Sequence, residues 1–215
     1  MDFERSSPRS AALAFMRGTK APWGTAELLE WINEHLLRPD RITLAPGSRV
    51  LEVFEPDAGT LSLECNSFPP GRVAPLPAAR PVIALARERV LQRLRAMVEH
   101  GHMSFVHAAL YQQRLVRCKS PSTGSQVWCV RFKEDTCLSD QILALFAADA
   151  MESPDDYEHR FGVCRICDEV HFQATVDVLR VGCEAHPLGV LHEGPIAQRN
   201  PTVPEMSAVR PGRRK

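Results

Sequence analysis

Cys164-Arg165-Ile166-Cys167 and, after fifteen intervening residues, Cys183-Glu184-Ala185-His186 constrain this chain more than any other stretch. Three thiols and one imidazole, in two pairs each separated by two residues, have the spacing of a tetrahedral metal site. A two-residue gap lets a tight turn aim both flanking side chains at one point. The fifteen residues between are enough to run out and back as a hairpin, which brings the second pair beside the first. The expected ligands are therefore Cys164, Cys167, Cys183 and His186, and the expected ion is Zn2+ in a structural role, because four protein donors leave no coordination position for water. His171, four residues past Cys167, is the rival to His186. His186 is preferred because it completes a pair with Cys183.

Glu169–Gln173 and Val176–Val181 read as the two strands of that hairpin. Val176, Val178, Leu179 and Val181 supply little apolar surface, so a unit this small is expected to draw folding energy from the metal. The two Cys/His pairs resemble the knuckles of zinc-ribbon and treble-clef proteins. The resemblance covers residues 164–186 only, and it implies that the four knuckle residues ligate the ion. The small or glycine residue usual two positions after the second knuckle cysteine is Glu169 here, so the first knuckle departs from the common form. Deaminase chemistry is disfavoured, because it calls for a His-x-Glu pair upstream of a Pro-Cys-x-x-Cys and Cys164 follows Val163. A thioredoxin-like redox pair would lack the second half-site.

The remaining cysteines are 65, 118, 129 and 137. The amino-terminal stretch has early acids and no sustained apolar run, so no secretory signal is expected. No run approaches the ~18 apolar residues of a membrane span. These features together predict a cytoplasmic protein with reduced thiols. Hydrophobic residues make up 44%, enough for a packed core. Basic and acidic residues balance at 26 each, which argues against a whole-protein basic footprint for nucleic acid.

The pattern along the chain predicts an α+β fold, with helices packed on short antiparallel hairpins and a small carboxy-terminal zinc-ribbon module. Residues 1–68 form a helix-plus-hairpin region. Ala11–Met16 suggests a short helix ended by Gly18 and Pro22. Thr25 is the expected N-cap of a helix running to about Arg38, with Leu28, Leu29, Ile32 and Leu36 inward and Trp31 partly exposed. Arg49–Phe54 and Thr60–Cys65 form a hairpin around Pro56–Gly59. Residues 69–81, with five prolines, are an extended connector. Residues 82–150, which can share one domain with 23–68, hold a helix over Val82–His100 closed by Gly101, a hairpin pairing Leu110–Cys118 with Gln126–Lys133, and a helix over Asp140–Ala150 capped by Ser139. Residues 151–190 are the zinc module and 191–215 a disordered tail.

Charge points to the class of partner. Between Met151 and His186 there are eight acids and three bases, a deficit of five that would repel a phosphate backbone. Arg87, Arg89, Arg93 and Arg95 decorate the long helix and read as a solvated face, with anion or partner binding as the sharper alternative. His100, His102 and His107 make a second metal site conceivable, but no thiol or acid sits among them. No glycine-rich phosphate loop, nucleophile elbow or HExxH is present. The expected function is a zinc-stabilised, non-enzymatic interaction or regulatory protein with a protein partner and no membrane association. A nucleic-acid-associated factor using the basic helix and tail is the alternative, and an enzyme with an unrecognised site comes third.

Overall fold

The computed structural model describes residues 7–36, 42–43, 50–64, 79–119, 124–131, 137–173 and 182–186. Residues 69–78 of the expected connector, Cys65, the expected strand 176–181 and the tail 191–215 lie outside the described residues; the connector's last residues, Ala79–Pro81, are the first turn of a helix and not extended.

The architecture is a mixture of helices and short strands. One helix, α5 (Leu138–Glu152), forms its centre. Every residue from Gln141 to Ala150 is buried. The segment is rich in alanine, so neighbours can approach from all sides. Two polar side chains are buried with it, Gln141 and Asp149.

Around this centre pack α1 (Pro8–Gly18), α2 (Thr25–Trp31) continued by a π-helical turn (Ile32–Leu36), α3 (Ala79–His100) and α4 (Ser104–Tyr111). α1 is longer than its sequence suggested. Ser7 caps it, with its Oγ accepting from Ser10 N–H at 3.0 Å, and Pro8 sits where a missing N–H costs nothing. Ala11, Ala12, Phe15 and Met16 turn one apolar face into the core. Trp31 is buried rather than partly exposed: its Nε1–H donates to Ala11 O at 2.9 Å, and its ring packs 5.1 Å from Phe15. Gly24, not Thr25, is the N-cap of α2; Glu27 Oε2 reaches back to accept from Gly24 N–H at 2.8 Å. α3 ends as expected, with Gly101 at φ +70° donating to Met97 O at 2.8 Å.

The strands are few and short. β1 (Ile42–Thr43) runs parallel to β5 (Gln126–Arg131), which pairs antiparallel with β4 (Leu115–Lys119). The expected strand over 110–118 is thus shorter, because Ser104–Tyr111 is helical and carries His107 on an exposed turn. Cys118 and Cys129 sit diagonally on one face of this hairpin. β2 (Val50–Glu55) and β3 (Gly59–Glu64) form the hairpin read from the sequence, register Val53 opposite Leu61. Glu55 at its turn is 1% exposed: its carboxylate accepts from Ser139 N–H at the start of α5 and from Arg89 Nη1 at 2.8 Å. Ser139 therefore does not cap α5. Cys137 holds the N-cap position and Glu55 supplies the acceptor.

A short α6 (Pro154–His159) leads into β6 (Phe161–Val163), which pairs antiparallel with β7 (Val170–Phe172). β7 corresponds to the expected strand 169–173, but its described partner lies upstream. Phe161, Val163, Val170 and Tyr157 belong to the same apolar cluster as Phe15, Leu94 and Phe146. Among the described residues no helix is long and apolar enough to cross a membrane.

Candidate metal centre

The β6–β7 hairpin positions the first cysteine pair. Its connection, Cys164–Glu169, is closed by Cys164 N–H donating to Glu169 O at 2.8 Å and Asp168 N–H donating to Cys164 O at 3.0 Å. The turn needs a left-handed residue, and Asp168 takes it at φ +61°. Aspartate is one of the few side chains that tolerate that region. The position demanding special backbone freedom is thus directly after Cys167, which explains why Glu169 can be large.

Opposite the turn lies Cys183–His186, itself a tight reversal with His186 N–H donating to Cys183 O at 2.9 Å. The two pairs converge. Cys167 Sγ and Cys183 Sγ are 3.6 Å apart, Cys183 Sγ and His186 Nδ1 3.4 Å, and Cys164 Sγ and His186 Nδ1 3.9 Å. All four donor atoms lie within 4.8 Å of one another. A disulfide would need about 2.05 Å between sulfurs. A tetrahedral shell with metal–sulfur bonds of about 2.3 Å has edges near 3.8 Å, so the separations fit a four-coordinate ion. Cys164 and Cys183 are buried, Cys167 and His186 half-buried.

The local electrostatics favour thiolate. Burial opposes ionisation of Cys164, yet the N–H groups of Cys167 and Ile166 and the thiols of Cys167 and Cys183 outweigh it and bring Cys164 down to about 6. Cys167 moves the other way: burial and the neighbouring Cys164 and Cys183 sulfurs raise it, against the N–H of Glu169. With no cation present, crowded thiols resist a second negative charge. A dication at the centre removes that obstacle.

All four expected ligands are therefore brought together. His171 is not. Its Nδ1 lies 3.2 Å from Glu169 O, and its Nε2 is buried without a hydrogen-bond partner. His100, His102 and His107 are exposed and form no cluster among the described residues.

The surroundings correct the picture of an acidic module facing solvent. Glu169 pairs with Lys20 and with Arg17 at 3.1 Å. These cations bring its carboxyl below the usual range despite burial. Asp168 pairs with Arg95 of α3, and Arg165 approaches Glu99 at 3.7 Å. Asp156 meets Arg9 at 2.7 Å and Arg160 at 2.8 Å. Arg9 also donates to Asp149 at 2.7 Å, and Asp149 accepts from Tyr157 Oη at 2.8 Å. Burial, followed by the Asp149 charge, holds the Tyr157 phenol well above its ordinary value. The acids flanking the cysteines thus meet basic residues from α1 and α3. Linear charge counting could not reveal this, because the partners are 73 to 152 residues away. At the tip, Ile166 stays 60% exposed.

No protein-family model matches the chain, and it has no match among curated proteins or solved structures.

Proposed function

We propose that the chain is a zinc-stabilised, non-enzymatic interaction or regulatory protein whose Cys164, Cys167, Cys183 and His186 form a zinc-ribbon-like knuckle pair. The observation that carries this reading is the convergence of four protein donors to within 4.8 Å, which fills a tetrahedral shell. Zinc is favoured over other ions by the donor set, three thiolates and one imidazole. Bound there, it would neutralise the crowded sulfurs and fix the turn. The chain's own residues do the rest: backbone N–H groups orient Cys164 and Cys167, while Asp168 and Glu169 anchor the turn to α3 and α1.

A rigid turn that holds Ile166 in solvent, with Arg165 and Glu184 beside the ligands, suits contact with a protein partner. A nucleic-acid role draws less support. Of the α3 arginines, Arg89 is engaged by Glu55 and Asp57 and Arg95 by Asp168, which leaves less basic surface than the sequence suggests. The test has two arms. Elemental analysis of purified protein should give one zinc per chain, lost in Cys167→Ser. Affinity capture from the native cell should yield partners that survive nuclease and are lost with Ile166→Asp. Metal-free folded protein, or capture abolished by nuclease, would overturn the reading.

A further inference from the structure

Away from the cysteines, α3, α4 and the start of α5 line a half-open pocket of about 270 Å³. Its apolar wall is Phe105, Ala109 and Leu143, all buried. Arg93, Ser104, Gln112, Arg114 and Asp140 bring polar groups to the same space. The lining is more polar than apolar, and two of its charges are arginines, which suits a small polar ligand better than an apolar one. Ser104, Ala108 and Gln112 recur every fourth residue, so one stripe of α4 lines the space. Small residues at 108 and 109 leave the room that leucine or phenylalanine would fill.

Arg114 is the unusual member. It is 7% exposed, and a guanidinium so enclosed requires acceptors around its fork. Its Nη2 donates to Asp140 Oδ2 at 2.9 Å. Its Nη1 is buried and has no hydrogen-bond partner. A buried donor left unsatisfied is costly. The charges lining the cavity are Arg93, Arg114 and Asp140. Asp140 is offset by Arg114, which leaves Arg93, exposed on the neighbouring turn of α3, as net positive charge.

We propose that this cavity binds a small anion through a carboxylate or phosphate group, held by Arg114 and Arg93 with Ser104 and Gln112 beside them. Both groups present paired oxygens that match the guanidinium fork. The volume admits a metabolite-sized molecule.

The experiment titrates the full-length protein with inorganic phosphate and, separately, with acetate, reading chemical shifts or heat, with chloride at matched ionic strength as the control. Saturable binding of either probe is expected, and which one binds identifies the group. Arg93→Gln should weaken it roughly tenfold, the loss of one charge-assisted contact. Ala108→Leu should abolish it by filling the cavity while the helix and the ligand-free melting temperature are kept. The proposal fails if neither probe saturates up to tens of millimolar, or if both variants bind as well as the wild type.

Discussion

Stripping the metal ion proposed for the four donors should open the turn 164–169 and leave the core closed. The magnitudes come from what each part of the hairpin rests on. Beyond the four donors, the turn 164–169 is held by two backbone hydrogen bonds and by the pairs of Asp168 and Glu169 with Arg95, Arg17 and Lys20. Arg17 and Arg95 are 62% and 44% exposed, so each such pair contributes at most about 1 kcal/mol. The strands below are different. Phe161, Val163 and Val170 are at most 3% exposed, and each is worth roughly 1.5–3 kcal/mol when buried. Together they hold β6–β7 on the body by at least about 5 kcal/mol, three to four decades of protection at 1.4 kcal/mol per decade. Hydrogen exchange read by mass spectrometry after chelation checks this. The amides of Cys164, Asp168 and His186 should lose nearly all protection while Ile142–Ala148 in α5 keep theirs. Loss of protection through α5 would show that the metal holds the core and refute the reasoning. An unchanged turn would show that the four donors hold no ion.

Glu55→Ala removes the acceptor for Ser139 N–H and strands Arg89; at about 3 kcal/mol it should lower the melting temperature by roughly 6–12 °C, and Glu55→Gln should cost less because an acceptor remains, as calorimetry can verify. Gly18→Ala would place Cβ 1.9 Å from Trp23 Cζ2, so Trp23 must leave its edge contact with Phe15; denaturant unfolding should show a loss of about 1–3 kcal/mol, and a neutral result would refute the close approach. Arg9 holds the Asp156 carboxyl below its ordinary value. That contribution is therefore present above the unfolded value near 3.9 and is lost as pH falls through the lower folded value. The stability gap between wild type and Arg9→Gln, about 2 kcal/mol, should stay flat from about pH 5 to 7 and shrink below about pH 4; a gap unchanged at pH 2 would count against it.

The local signals were legible in the sequence because each depends on neighbours a few residues away. Two-residue spacing brought Cys164 near Cys167 and Cys183 near His186 without reference to the fold. Gly101 closed α3, and the turn at Pro56–Gly59 registered β2 on β3. The mixed α+β class followed from those elements. What the sequence could not decide rests on partners far along the chain. Trp31 is buried because Ala11 O lies beneath it, twenty residues upstream. Glu55 is tolerated inside the protein because α5 and α3 each bring it a donor. The surplus of acids around the turn reads as a repulsive surface until α1, the turn after it and α3 supply Arg9, Arg17, Lys20 and Arg95. Arg114 carries no local pattern, and only the packing of α3, α4 and α5 around it makes it part of a cavity. Backbone conformation and short turns are set by local sterics and hydrogen bonds, whereas burial and charge pairing depend on which surfaces the tertiary structure brings together.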